Sequence, residues 1–282
     1  LQLGIDTVWF CFMFTYAIVM GMITPPYAIT LFYFKGLGYK EVSIVDYSSM
    51  CKTTRDIDQA IDWICEALDW EYVAWDLECT GLKPDAEWQE IVCMSISNGK
   101  VSYSFPNFMD ATFQKMWKKL LTSPVKKIAH NLQYENIFTK TIMGYWVKNW
   151  AMDTMLSQHV LWNNKPTGLK YCTYTRFGVV GYDESADSYL KASKEDEEKY
   201  GCNAKNRIKE APIDDLLLYN AMDSLFTYRL FQLHRNEATE KQLECIALYT
   251  NTAITFSKMT HNGFHVDASK FEGVQNDINA II

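Results

Sequence analysis

The stretch YVAWDLECTGL, residues 72–82, decides the fold class of this chain. Its apolar and aromatic residues predict a β-strand that ends in an acidic pair, Asp76 and Glu78. Residues two apart on a strand point to the same face, so both carboxylates lie on one side of the predicted sheet. Two adjacent carboxylates favour a hard divalent cation such as Mg²⁺ or Mn²⁺. An exposed sheet edge or a salt-bridge site is the alternative.

The sequence on both sides of this strand predicts an α/β domain. A helix with apolar residues at spacings of three and four comes before it, and two more strands follow, joined at Asn98-Gly99. This dipeptide is typical of two-residue hairpin turns. Helical and strand patterns then alternate up to residue 162. Three antiparallel strands followed by this alternation predict a mixed five-stranded sheet with helices on both faces.

Two further stretches carry polar groups at positions suited to chemistry. In AHNLQYE, residues 129–135, a short strand ends at His130 and Asn131, and open α/β sheets build their sites at such carboxyl ends. In YNAMD, Tyr219 and Asp223 are four residues apart and share one face of a predicted helix. A core tyrosine beside an exposed aspartate is the alternative for the second stretch.

Asp153, in WAMDTMLSQHVL, is interpreted differently from the other acids. Its position directly before a helical pattern predicts an N-cap, whose carboxylate accepts hydrogen bonds from backbone N–H groups. The charge-dense stretch from Lys191 to Glu210 is nearly free of large apolar residues, so it predicts a solvent-exposed segment.

The composition excludes several classes of protein. With 282 residues, 48% of them hydrophobic and 22% charged, the chain is long and apolar enough to fold. A net charge of -7 excludes binding of nucleic acid through bulk basic charge, so any such contact is local. The eight cysteines include no CxxC spacing, which favours free thiols in a reducing cytoplasm over a zinc site or a disulfide framework.

Residues 7–34 contain no charged residue and no histidine, a length that could cross a bilayer. Pro25 and Pro26 interrupt the run, which predicts a hydrophobic helix, a break and a short second element. The stretch from Leu3 to Ser48 resembles a region near the carboxyl end of the large permease subunit of TRAP-type transporters. A membrane anchor, a buried hydrophobic hairpin and sequence joined from a neighbouring gene are the alternatives, and so short a segment cannot transport by itself.

Three ordered stretches, WDLECTGL, AHNLQYE and YNAMD, resemble the three motifs of the DEDDy 3'-5' exonucleases. These enzymes belong to the DnaQ-like superfamily and have a ribonuclease H-like fold. DTMLSQHVL and GLKYCTYTRFGVVGYD resemble the proofreading domain of phage or bacterial family A DNA polymerases. MTHNGFHVDASKFE, residues 259–272, resembles the link from that domain to the polymerase.

The resemblance implies three regions: a hydrophobic, possible membrane segment at 1–51, an exonuclease domain at 52–236, and a helical link at 237–282. It implies a cytoplasmic proofreading module that removes nucleoside 5'-monophosphates from a single-stranded or frayed 3' end of DNA, with a polymerase domain as its partner. An RNA-trimming exonuclease of the ribonuclease D type is the alternative, as is a membrane-anchored fusion with a transporter fragment through residues 7–34.

The resemblance also assigns roles to residues. It implies two divalent cations, Mg²⁺ or Mn²⁺, about 4 Å apart around the scissile phosphate. The implied metal ligands are Asp76, Glu78, Glu135 and Asp223, and Tyr219 helps to orient the attacking water. The implied substrate-binding residues are Cys79, Thr80, Leu82, Asn131 and Tyr134.

Two positions depart from the family pattern, since Cys79 stands where threonine is common and Glu135 where aspartate is common. Basic residues near the motifs offer phosphate contacts, with ordinary surface roles as the alternative. These are Lys126, Lys127, Lys165, Lys170 and Arg176.

Overall fold

The computed structural model describes residues 45–201, 204–265, 267, 270, 273 and 274. The hydrophobic helix and break predicted over residues 7–34 lie outside the described residues, as does most of the polymerase-like link after residue 265. The chain divides into two compact units, Leu1–Asp46 and Tyr47–Ile282. The boundaries of the three predicted regions stay a prediction. None of the helices within the described ranges is both long and apolar enough to span a membrane.

Six strands of the described residues form one mixed sheet. They are β1 (Cys51–Thr53), β2 (Tyr72–Cys79), β3 (Ile91–Ser97), β4 (Ser102–Pro106), β5 (Lys126–Ala129) and β6 (Trp150–Asp153). Their order across the sheet is β1-β4-β3-β2-β5-β6. Strand β3 is antiparallel to both of its neighbours, whereas β2, β5 and β6 run parallel. The carboxyl ends of β2, β5 and β6 therefore meet at one edge.

The α/β class and the mixed sheet are confirmed, but the predicted number of five strands is wrong. The additional strand is β1, which pairs in parallel with β4 at the edge of the sheet. Three residues are too few to show the period-two alternation by which a strand is predicted.

The turn between β3 and β4 lies at the predicted Asn-Gly pair. Ser97 pairs with Ser102, so four residues lie between the paired positions. The side-chain oxygen of Asn98 accepts two backbone N–H groups of the turn, and Gly99 has a φ of 78°. The Asn98 backbone N–H donates to the backbone oxygen of Val101 at 3.2 Å, so two residues, Gly99 and Lys100, lie inside this bond, as the dipeptide predicts.

Helices cover both faces of the sheet. They are α1 (Ile57–Ala67), α2 (Ala111–Thr122), α3 (Leu132–Phe138), α4 (Thr154–Leu161), α5 (Leu169–Phe177), α6 (Glu184–Asp187), α7 (Lys194–Tyr200), α8 (Ile213–Glu237) and α9 (Glu240–Asn262). Helices α1 and α2 pack on the face that carries Trp75, where Ile64 and Trp117 are fully buried with it. Helix α8 crosses the opposite face. Helix α7 has no buried residue, as predicted for the charge-dense stretch, but Ile208 near the end of that stretch is fully buried.

Serine side chains on β3 and β4 hold α8 against the sheet. Ser95 donates to the backbone oxygen of Asn220 at 2.8 Å, and Ser104 donates to its side-chain oxygen at 3.1 Å. Ser102 donates to the backbone oxygen of Ala221 at 2.7 Å. Small hydroxyl side chains let the helix backbone approach the sheet closely, and their bonds fix the position of α8 along it.

Candidate active site

Three acids from two distant parts of the sequence meet at the carboxyl end of β2. Asp76 and Glu78 lie on the face that α8 crosses, and Asp223 of α8 meets them there. One carboxylate oxygen from each residue lies within 4.8 Å of the others. Glu78 and Asp223 are buried. The predicted common face of Asp76 and Glu78 is therefore the face on which the third acid arrives.

Asn220 connects this cluster to the serines of the sheet. Its side-chain nitrogen donates to Asp76 Oδ2 at 2.8 Å. Because Asn220 precedes Asp223 by about one helical turn, the bonds that hold Asn220 also set the position of Asp223. Asn220 is not among the site residues predicted from the sequence. The sequence feature that could have indicated its role is the alternation of serine in the stretches SIS and SYS of β3 and β4. Small side chains at alternate positions mark a sheet face on which a helix packs closely.

Glu135, the fourth predicted acid, lies outside the group of three, but the charge of Asp76 affects its pKa. It belongs to the first turn of α3 and is 3% exposed. Burial, and after it the charge of Asp76, raise the pKa of Glu135 well above its usual range. Among the described residues its Oε2 atom has no hydrogen-bond partner. A buried carboxylate oxygen without a partner is costly, so it is suited to binding a cation.

The pKa values of the other acids also indicate a site that favours a bound cation. Burial, and then the charge of Asp223, raise the pKa of Asp76 well above its usual range. Burial, and then the charge of Asp76, do the same for the pKa of Glu78. Carboxylate oxygens are the ligands that Mg²⁺ and Mn²⁺ prefer. The four acids therefore fit a divalent metal site by the chemistry of their ligands and by the unpartnered oxygen of Glu135.

Two groups from the stretch GLKYCTYTRFGVVGYD bond directly to Asp223. Lys170 Nζ lies 2.6 and 2.9 Å from the two carboxylate oxygens, and the Tyr182 hydroxyl donates to Oδ1 at 2.5 Å. The Lys170 ammonium also lies over the rings of Tyr182 and Tyr219, at 4.3 and 4.1 Å from their centroids. The sequence predicts Lys170 only as a phosphate contact and does not predict Tyr182, because no local pattern links either residue to Asp223.

Tyr219, predicted to orient the attacking water, is buried beside the cluster. Its ring stacks on Tyr182 with the centroids 6.1 Å apart. Burial, and then the charge of Asp223, raise the pKa of Tyr219 well above its usual range, so its phenol stays protonated at neutral pH. The structure thus brings Tyr219 and Asp223 to one face of α8, as their spacing predicts.

The predicted substrate contacts Leu82 and Tyr134 are joined through a backbone group. The Tyr134 hydroxyl donates to the backbone oxygen of Gly81 at 3.0 Å. This bond ties α3 to the loop that follows β2, and the next residue, Leu82, is 69% exposed. An apolar side chain so exposed and so near the acids is available to a substrate.

The other predicted substrate contacts are less accessible. Cys79 and Thr80 are buried, and the Thr80 hydroxyl donates to Gln89 Oε1 at 2.8 Å. Asn131, partly exposed, caps α3 with a left-handed φ of 75°, a conformation that asparagine tolerates. Thr80 thus holds the loop after β2.

The basic residues named from the sequence differ in environment. Lys127 is buried, and its ammonium donates to the backbone oxygens of Ser123 and Val125, both at 2.7 Å. Burial lowers the pKa of Lys127 to about 8. The suggestion of a phosphate contact at Lys127 is therefore wrong. Lys126 begins β5, at the sheet edge opposite the acids, and Arg176 pairs with Glu237.

Comparison with known protein families matches residues 51–237 to a family described as 3'-5' exonuclease. Residues 1–65 match a family described as tripartite ATP-independent periplasmic transporter, DctM component. No curated protein matches the chain.

Three solved structures share the fold. They are the catalytic core of RRP6 from Trypanosoma brucei (14% identity, TM-score 0.55, 75% of this chain and 54% of that chain), RNase D from the same organism in complex with GMP (13%, 0.57, 78% and 68%), and NrnC from Brucella melitensis with bound Mg²⁺ (17%, 0.50, 77% and 96%). The match thus spans about half the length of the RRP6 core. At these identities the likeness establishes the ribonuclease H-like fold.

The sequence match and the acidic site agree. The family match covers well over half of the chain and includes all four acids, three of which meet at one edge of the sheet. The enzyme class predicted from the three motifs is therefore confirmed, and three of the four predicted acids form a cluster that could hold a divalent metal ion. The chain belongs to the 3'-5' exonuclease family.

Proposed function

We propose that this exonuclease trims single-stranded RNA from its 3' end and releases nucleoside 5'-monophosphates. The hydrolytic part of the proposal rests on one observation, the cluster of Asp76, Glu78 and Asp223 on β2 and α8, whose carboxylate oxygens lie within 4.8 Å of one another. The choice of RNA is supported by the solved structures of similar fold, which include RNase D with GMP and NrnC bound to pGG. This choice favours the ribonuclease D type of enzyme over the proofreading module that the motifs resemble.

In this proposal the acids hold two divalent ions. Asp76, Glu78 and Asp223 would hold one, and Asp76 and Glu135 would hold the second. When bound, the ions activate the attacking water and neutralise charge on the scissile phosphate. The cations would be required because the four carboxylates alone would repel the negatively charged phosphodiester.

The remaining residues position the substrate. The Tyr219 phenol stays protonated, so it orients the attacking water through a hydrogen bond and does not act as a base. Leu82 packs against the terminal base from its exposed position after β2. Apolar contact of this kind accepts any base, which suits an enzyme that removes nucleotides in succession.

Proofreading of DNA is the second candidate, and one observation favours it. The stretch GLKYCTYTRFGVVGYD, which resembles family A polymerases, supplies Lys170 and Tyr182 directly to Asp223. A segment shared with proofreading domains therefore takes part in this site. The two candidates differ in the sugar of the nucleotide that is removed.

The two candidates are separated by substrate. The full chain would be incubated with 5'-labelled RNA and DNA oligonucleotides of one sequence, with Mg²⁺ or Mn²⁺, beside Asp76→Asn and the exposed control Asp62→Asn. We expect a ladder of shortened RNA that forms faster than the DNA ladder, disappears in Asp76→Asn and persists in Asp62→Asn. A faster DNA ladder favours proofreading, and no ladder from the folded protein contradicts both candidates.

A further inference from the structure

One positively charged side chain of the protein, Lys170, lies among the carboxylates of the active site. Among the described residues, Lys170 is the only basic side chain in an ion pair with any of the four acids. Its ammonium lies within bonding distance of both oxygens of Asp223, at 2.6 and 2.9 Å. Because Asp223 is buried and Lys170 is only partly exposed, water screens this pair less than a surface pair.

Lys170 and a divalent ion require the same atoms. A carboxylate oxygen that binds Mg²⁺ or Mn²⁺ at about 2 Å cannot keep an ammonium on the same lone pairs, and the two cations repel each other. The Tyr182 hydroxyl occupies a further position on Oδ1, so Asp223 has little capacity left for a metal while Lys170 remains. Metal binding at Asp223 therefore requires the ammonium to move.

Two aromatic rings contact the Lys170 ammonium in addition to Asp223. The faces of Tyr182 and Tyr219 lie 4.3 and 4.1 Å from Lys170 Nζ, and ring faces attract cations. These distances belong to the ammonium in its position on Asp223, so the rings hold the lysine side chain beside the acids and favour a short movement over departure from the site. In the metal-loaded site the remaining anion is the phosphate of the nucleotide that is to be removed.

We propose that Lys170 exchanges partners during the cycle: it neutralises Asp223 in the metal-free site, and it contacts the phosphate of the 3'-terminal nucleotide once the metal has displaced it. Lys170 is then both a competitor of the metal and a substrate contact. This inference rests on the proposed hydrolytic function, but it concerns a step that precedes hydrolysis.

The exchange predicts effects of opposite sign on two binding constants. In calorimetry with Mn²⁺ alone, Lys170→Met should bind Mn²⁺ about tenfold more tightly than the wild-type chain, because no ammonium competes for Asp223. In the Mn²⁺-saturated protein, the same variant should bind the product analogue AMP about tenfold more weakly, because a charge-assisted contact is lost. A purely structural role would weaken both constants together.

Matched variants control for charge and for folding. Lys115→Met removes an exposed lysine of α2 and should leave both constants unchanged. Lys170→Arg keeps the positive charge and should return both constants toward the wild-type values. Lys170→Gln, which can still donate to Asp223, replaces Lys170→Met if the latter does not fold.

The outcomes separate this inference from the proposed function. If the wild-type chain binds no Mn²⁺, the proposed metal-dependent function fails. If the wild-type chain binds Mn²⁺ but neither neutral variant binds it more tightly, the partner exchange is overturned and the proposed function stands. Unchanged AMP binding in the neutral variants overturns the exchange as well, because the phosphate contact is then absent.

Discussion

The carboxylates of two parallel strands, Asp76 of β2 and Asp153 of β6, are held in opposite ways. Asp153 at the end of β6 accepts four backbone N–H groups, from Asn131, Leu132, Met155 and Leu156, at 2.8 to 3.2 Å. Asp76 on β2 accepts one side-chain donor, from Asn220. Burial raises the pKa of Asp153, but its four N–H bonds oppose that rise.

The two carboxylates differ in the number and kind of hydrogen-bond donors around them. Backbone N–H groups satisfy Asp153 completely, so it joins α3 to α4 and needs no ion. The acids around Asp76 accept few hydrogen bonds and have one lysine among them. Much of their negative charge is therefore available to bind a metal ion. A buried carboxylate is therefore assigned a role by counting its donors, and burial alone does not distinguish the two kinds.

Replacing Asp76 with asparagine should have the largest effect on activity. Loss of a metal ligand should lower the rate of 3' shortening by about 1,000-fold or more. The metal-free variant should melt at the same temperature as the wild type or higher, because a repelled buried charge is removed. A labelled-oligonucleotide assay measures the rate, and thermal unfolding in EDTA measures the melting temperature. A lower melting temperature would mean that Asp76 is also a structural acid.

Replacing Asp153 with asparagine should give the opposite result. An amide has one accepting oxygen and cannot accept all four N–H groups, so the free energy of unfolding should fall by about 1 to 3 kcal/mol. Urea unfolding in EDTA measures this change. The rate of 3' shortening by the folded variant should change far less than in Asp76→Asn. Unchanged stability would show that Asp153 is not the joint between α3 and α4.

The pH dependence of stability should separate the two kinds of acid without mutation. Burial raises the pKa of Asp76, Glu78 and Glu135, so in the pH window above the usual pKa of a carboxyl group the folded metal-free protein binds more protons than the unfolded chain. Its free energy of unfolding should therefore fall as the pH rises through this window. Mg²⁺ should reduce the fall, and so should Asp76→Asn. Equal pH profiles with EDTA and with Mg²⁺ would contradict metal binding by these groups.

Leu82→Ala should have the smallest effect and should act on the substrate alone. Because the side chain is 69% exposed, melting should be unchanged, while KM should rise about threefold to tenfold through lost apolar contact. The matched control is Leu248→Ala, which truncates a leucine of α9 that is 66% exposed and should leave KM unchanged. A fall in kcat at constant KM would instead place Leu82 in the chemical step.

Local rules were sufficient for much of this protein. The acidic pair of β2, the helix face shared by Tyr219 and Asp223, and the cap at Asp153 each follow from a spacing of a few residues, because strand alternation, helical periodicity and capping act over that range. The enzyme class, by contrast, followed from the resemblance of the three ordered motifs to a known family.

Tertiary structure alone decided the environment of individual side chains. Lys127 and Lys170 look alike in the sequence, yet one ammonium is buried against backbone oxygens and the other binds Asp223. The three-residue strand β1 and the contact of Tyr182 with Asp223 likewise depend on partners 40 residues or more away. Such contacts arise only when the sheet and α8 come together, and no periodicity within one segment encodes which distant group a charge will meet.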